Sequence, residues 1–215
     1  MCGKGEMQSP IDLTNQRVNV LYHLRPLRRS YKPANAVIKN RGHDIMLQWK
    51  EVAGGIWINQ TKYLLKQVHW HSPSEHTINS HRYSLELHMV HESEDKKIAV
   101  VGIIYKIGRP DTFLAKMEGY IRKLADIKGG EEKLGKVDPR EIKKGSRKYY
   151  RYMGSLTTPP CTEGVIWTIV HKVRTVSREQ VRLLREAVHD DNEMNARPTQ
   201  EINERIIGLY RPRKT

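Results

Sequence analysis

Short apolar runs bounded by Gly, Pro, Asn or Ser dominate the first half of the chain. Asp44–Trp49, Gly55–Asn59, Lys66–His71, Ser84–Glu92 and Lys97–Ile107 are rich in β-branched and aromatic residues, a pattern that predicts strands. Gly164–Val173 reads the same way. Two segments carry a helical period instead. In one, Leu114, Met117, Ile121 and Leu124 recur at spacings of three and four. In the other, Ser177 stands in N-cap position with Gln180 three residues on, a capping box, followed by a stripe of Val181, Leu184 and Val188. Residues 137–142 and 195–203 read as loops. No internal repeat or low-complexity linker interrupts the pattern. The expectation is one domain over 1–215, α+β and mainly β, with few helices.

Charge and cysteine usage narrow the possible partners. No apolar run approaches the roughly 18–20 residues that span a membrane. The opening MCGKGEMQSP lacks the apolar core of a secretory signal, as in a mature or trimmed form. Lys and Arg number 38 against 24 acids, a formal charge of +14. Such an excess favours anionic partners in general, and a solvated basic surface accounts for it equally well. The basic residues lie in small scattered clusters without a ribonucleoprotein or zinc-finger pattern, so no specific nucleic-acid function is expected. Cys2 and Cys161 are not a CxxC pair, which removes a ribbon-type zinc site and a thioredoxin motif. One bridge between them suits an oxidising compartment, and two free thiols suit a reducing one. Asn59-Gln60-Thr61 is a glycosylation sequon.

Six of the chain's 10 histidines fall between Gln67 and Ser93. On a strand, side chains alternate, so His69 and His71 share one face and Trp70 takes the other. The same alternation puts Glu86, His88 and Val90 together. If the two strands pair antiparallel, His88 joins His69 and His71. Three neutral imidazoles leave a tetrahedral ion one open position, the layout of a catalytic rather than a structural zinc site. A His-x-His pair alone more often packs or hydrogen-bonds, and it is the third histidine in phase that shifts the balance. His76, His81 and His91 are not needed as ligands and take structural or surface roles.

Gln8–Asp12, His69-x-His71, Ser74–Thr77, Glu86–His91 and Gly154–Cys161 resemble, in order and approximate spacing, the alpha-class carbonic anhydrases. The short loop from His71 to Glu75 is similar to plant and bacterial members, and the stretches His91–Asp111 and Lys148–Glu163 resemble the plant group, nectary and tuber relatives included. The resemblance implies a large, twisted, mostly antiparallel central sheet with peripheral helices and a cone-shaped cleft. It implies Zn2+ held by His69, His71 and His88, with Gln67, Glu86 and the backbone of Asn195 holding those rings. It makes Thr157 the acceptor of a hydrogen bond from zinc-held hydroxide, its own proton given to Glu75. Val90, Val100, Leu156, Thr158, Val165 and Trp167 form the substrate pocket, and His43 shuttles the proton out. Cys2 and Cys161 become a disulfide, and the location secreted or otherwise extracytoplasmic.

The implied reaction is reversible hydration of carbon dioxide to bicarbonate and a proton by zinc-hydroxide attack, with weak esterase side activity and inhibition by sulfonamides and anions. The alternative is a non-catalytic storage or extracellular binding protein on the same scaffold, including one for polyanions. A monomer or homodimer is expected. Two departures stand out. Only seven residues precede Gln8 where the family has a longer stretch, which implies a trimmed N-terminus. Arg41 puts a bulky cation two residues before His43, where it is expected to face the cleft and disfavour the protonated imidazole by like-charge repulsion.

Overall fold

The structure, a computed structural model, describes residue 2 and residues 5–188 and 194–212. Thirteen strands form one sheet. Its main path runs Glu131–Val137, Ala34–Asn40, Ile45–Trp49, Thr61–His71, Leu85–Glu92, Ile98–Ile107, Glu163–Val170, Tyr149–Ser155, Ile207–Tyr210 and Val18–Val20. Neighbours on this path are antiparallel except at two junctions. Ile98–Ile107 runs parallel to Glu163–Val170, and Ile207–Tyr210 parallel to Val18–Val20. Asp12–Leu13, Thr77–Ile78 and His81–Arg82 form a separate three-stranded sheet.

The central strands are apolar on both faces because each face covers a different core. Along Ile98–Ile107, Ala99, Val101, Ile103 and Tyr105 pack into the larger core under the helices. Val100 and Ile104, out of phase with them, pack with Ile11, Tyr152 and Trp167 on the opposite side. A strand covered on both faces reads as an unbroken apolar run.

The helices are α1 (Thr112–Leu124) and α2 (Arg178–Glu186). Asp111 caps α1 by accepting from the backbone N–H groups of Phe113 and Leu114. Ser177 and Gln180 complete the expected capping box on α2. The buried Gln180 amide also exchanges hydrogen bonds with the backbone of Asp111, at 2.8 and 2.9 Å, and so ties one helix start to the other.

Several boundaries differ from the sequence pattern. The strand expected from Lys66 begins at Thr61, and the one expected to reach Val173 ends at Val170. The expected loop 137–142 contains a single 3₁₀ turn, Pro139–Glu141, capped by the Asp138 carboxylate. Ala34–Asn40, Glu131–Val137, Tyr149–Ser155 and Ile207–Tyr210 are strands that periodicity did not mark.

Candidate metal centre

Strand register brings the three histidines together. Leu85–Glu92 pairs antiparallel with Thr61–His71, placing His88 opposite His69 and Glu86 opposite His71. His69, His71 and His88 are all buried, with candidate ligand nitrogens within 4.8 Å of one another. Each ring is oriented by a partner on its other nitrogen. His69 Nδ1–H donates to Gln67 Oε1 at 2.8 Å. His71 Nδ1–H donates to the Asn195 carbonyl at 3.2 Å. His88 Nε2–H donates to Glu86 Oε1 at 2.9 Å. These tautomers leave Nε2 of His69, Nε2 of His71 and Nδ1 of His88 free to ligate.

His71 Nε2 is a buried nitrogen without a hydrogen-bond partner. Leaving such an atom unpaired costs about 1–3 kcal/mol, which a coordinated cation would remove. Burial, then the neighbouring His71, His88, Arg41 and His43, holds His69 well below the usual imidazole range. Burial also lowers His88, against the opposing pull of Glu86. Neutral imidazole is the form that binds a metal. The donor set therefore fits zinc with one position left for solvent.

A second cluster, His76, Glu86 and His88, also has its atoms close enough for an ion. Its carboxylate is already saturated. Glu86 accepts from the backbone N–H groups of Glu75 and His76 at 3.0 and 2.8 Å, and from His76 Nδ1 and His88 Nε2 at 2.8 and 2.9 Å. Burial alone would raise this carboxyl, but the charges and hydrogen bonds of His76 and His88 hold it well below the carboxylate range. Glu86 is thus a brace for His88, not a ligand.

Beside the triad lies a cleft of about 580 Å³ lined by His71, His43, Arg41, Thr157, Thr158 and Arg197 among others. The His43 side chain is about half exposed, 47%. Arg41 reaches the same cleft, but its guanidinium is paired at two points with the buried Asp44 carboxylate. The same carboxylate lies 3.7 Å from His43 Nε2. Glu75 Oε1 accepts from the Arg197 backbone N–H at 2.9 Å, while Oε2 is buried without a partner. Thr157 lies on the cleft wall, and no hydrogen bond joins it to Glu75 in this structure.

The apolar side of the site is continuous. Val90 faces Val100 across one strand pair, and Val100 faces Trp167 across the next. Val165 and Leu156 belong to the same cluster. The Trp167 ring sits edge-on to His88, 4.9 Å between centroids, with its indole N–H on the Ser155 carbonyl.

Periodicity did not reveal what lies behind Glu86. His76, fully buried, joins Glu86 to the Tyr152 hydroxyl, 2.6 Å from its Nε2, and Tyr152 meets Ser9 Oγ at 2.8 Å. His76 lies in a loop, where no strand phase indicates its direction. Arg197 was also missed as a clasp, its guanidinium donating to Gln8 Oε1 and the Ser9 carbonyl. Cys2 is bonded to Cys161, and His81 is exposed while His91 is buried.

Three buried imidazoles, each held at its far nitrogen, lie beside an apolar wall and an open cleft, the donor set of an open metal site. Known proteins make the class specific. The eukaryotic-type carbonic anhydrase family matches residues 1–210. Alpha carbonic anhydrase 7 of Arabidopsis thaliana is 61% identical over 212 residues, covering 99% of this chain and 77% of that protein. The crystal structure of dioscorin complexed with ascorbate matches at TM-score 0.95 and 44% identity, over 98% of this chain and 88% of that one. The alpha-carbonic anhydrase of Thermovibrio ammonificans complexed with sulfanilamide matches at TM-score 0.84 and 34% identity, over 95% and 87%. The chain belongs to the eukaryotic-type carbonic anhydrase family. It is accordingly an enzyme of the carbonic anhydrase class, whose general reaction is carbon dioxide hydration.

Proposed function

We propose that this chain catalyses the zinc-dependent reversible hydration of carbon dioxide to bicarbonate and a proton. The observation that carries the reading is the convergence of His69, His71 and His88 with a buried, partnerless His71 Nε2. A zinc ion held by these three nitrogens would supply a water acidified enough to be nucleophilic near neutral pH. Gln67, Asn195 and Glu86 keep the three rings in the ligating tautomer and orientation.

Val90, Val100, Leu156, Val165 and Trp167 offer an uncharged substrate an apolar surface beside the reacting solvent. Thr158 lines the cleft next to Thr157. Glu75 Oε2 is an acceptor awaiting a donor, and a Thr157 hydroxyl committed to it would have only lone pairs left to present to solvent. That commitment fixes the direction of attack. His43, half exposed on the cleft wall, takes the released proton and passes it to buffer. Slow hydrolysis of activated esters and inhibition by sulfonamides and small anions follow from the same site. The Cys2–Cys161 bond supports an extracytoplasmic compartment. Likeness to dioscorin keeps a binding or storage role as the alternative, and retention of the whole histidine triad favours the enzyme.

Metal content and carbon dioxide hydration, measured together on the wild type and His88→Ala, test the proposal. About one zinc per chain and turnover are expected for the wild type, with both largely lost in the variant because one ligand of three is gone. A metal-free, inactive wild type that does not take up added zinc would refute the reading.

A further inference from the structure

A groove of about 660 Å³ lies apart from the catalytic cleft, between the segment 21–28, the hairpin tip at Trp57–Gln60 and the strand Tyr149–Ser155. Arg151 and Met153 alternate with Tyr152 on this strand. They therefore point away from the face on which Tyr152 meets His76. The groove shares Tyr152 with the network behind Glu86 and Asn59 and Gln60 with the glycosylation sequon, and no residue with the lining of the cleft.

Its walls combine two features. Trp57, Ile58, Met153 and Ile206 supply apolar surface, and Met153 and Ile206 are exposed, Ile206 by 64%. Arg25, Arg28 and Arg151 supply cations, and no Asp or Glu lines the groove. Among the described residues, none of these arginines forms an ion pair with a carboxylate. Arg28 instead lies over the Trp57 ring, 5.5 Å from its centroid, with Lys62 at 5.3 Å. Arg151 lies over Tyr149 at 5.1 Å, and its Nε–H goes to the Thr168 hydroxyl at 3.0 Å.

Arg151 is half-buried, and withdrawal from water disfavours its charge. A desolvated guanidinium normally has a carboxylate or phosphate beside it. Guanidinium stacked on an aromatic ring keeps its N–H edge free for such a partner. The volume falls in the range of small-molecule sites.

We propose that this groove binds an organic anion with a flat apolar body, an aromatic carboxylate being the simplest case. Its charged group pairs with the arginines of the rim, and its body lies on the Trp57, Met153 and Ile206 surface. The apolar floor selects against a fully hydrated anion, and the absence of acids selects against a neutral or cationic ligand of the same shape.

The test is calorimetric titration of the metal-loaded protein with cinnamate, cinnamyl alcohol, acetate and polygalacturonate. Cinnamate is expected to bind saturably, and the alcohol and acetate at least tenfold more weakly. Arg151→Met and Arg28→Gln are each expected to weaken cinnamate at least tenfold while leaving carbon dioxide hydration unchanged. The second residue is exposed, so a folding defect in the first variant leaves the test intact. Equal binding of cinnamyl alcohol would overturn the proposal. So would tighter binding of polygalacturonate per charge, which would assign the cations to a polymer. Binding that survives both substitutions and inhibits hydration would locate cinnamate in the catalytic cleft and also refute it. Self-association lost in Arg151→Met, with no cinnamate binding, would mark a contact between copies instead.

Discussion

Glu86→Gln is the most revealing single change, because it keeps shape and removes only charge and acceptor capacity. The wild-type carboxylate receives four N–H donors, two from backbone and two from imidazoles. A glutamine offers one oxygen and one NH2. If the amide oxygen faces His76 and His88, the NH2 abuts the backbone N–H groups of Glu75 and His76. If the amide turns over, the NH2 faces the two rings. His88 must then carry its proton on Nδ1, the nitrogen needed for the metal. In that second orientation the amide oxygen serves the backbone N–H groups, and what is lost is the ligating tautomer of His88. In the first, two buried donors lose their acceptor, at about 1–3 kcal/mol each a cost of about 2–6 kcal/mol of stability in the metal-free protein. Loss of a hydrogen-bond partner behind a metal-ligating histidine typically costs about 10–100-fold in metal affinity. Denaturant unfolding of the metal-free protein measures the first quantity, and competition with a chromophoric chelator measures the second. The reasoning fails if affinity stays within twofold of wild type and the unfolding free energy is unchanged.

Other expectations follow from particular contacts. Buried His91 accepts from the Tyr31 hydroxyl on Nε2 and donates from Nδ1 to the Ala99 carbonyl, and burial lowers it from 6.5 to about 4. The unfolded chain binds the proton more readily, so this contribution is complete above about pH 6.5 and lost as pH falls toward 4, in total about 3 kcal/mol. Unfolding free energies of wild type and His91→Gln, compared from pH 4 to 7, should show the steeper slope in the wild type, and equal slopes would reject this. Cys161→Ser should lower stability by up to about 5 kcal/mol, since the bond closes a loop across 159 positions. A urea midpoint unmoved by the variant or by reductant would exclude that. A Cβ at Gly102, opposite His88, would lie 2.6 Å from Ile169 Cδ1 and 3.0 Å from Glu86 Oε1. Gly102→Ala should therefore cost about 1–3 kcal/mol by overpacking and weaken zinc binding, both measurable as for Glu86→Gln.

What could be read in advance depended on whether a residue's direction was set locally. The alternation of VHWH fixes His69 and His71 on one face without knowledge of the fold, and the run around His88 supplies a third nitrogen in phase. The capping box at Ser177 is local as well, and α2 begins where it predicts. The missed strands lack such marks. Glu131–Val137 lies at the sheet edge with only Val137 buried, so its charged sequence carries no apolar alternation. Tyr149–Ser155 has tyrosines at its inward positions and runs directly into Gly, Ser, Thr and Pro, which read as a turn.

The residues behind the ligands were harder to see for a different reason. Ser9, His76, Tyr152 and Glu86 come from four separate segments and meet only after the sheet has formed. No period relates them, and a hydroxyl or imidazole in a loop carries no phase. Their chemistry nevertheless explains the sequence around them. A buried carboxylate is tolerable only with its acceptor sites filled, so Glu86 requires a second imidazole besides His88, and that imidazole in turn requires an acceptor or donor at its far nitrogen. Tyr152 supplies it and is anchored by Ser9. His88, the proposed metal ligand, is thereby held by a chain that reaches from the centre of the sheet to the segment beginning at Gln8. The Gln-Ser-Pro stretch, whose family resemblance gave no physical reason for its presence, is in this way tied to the ring of His88.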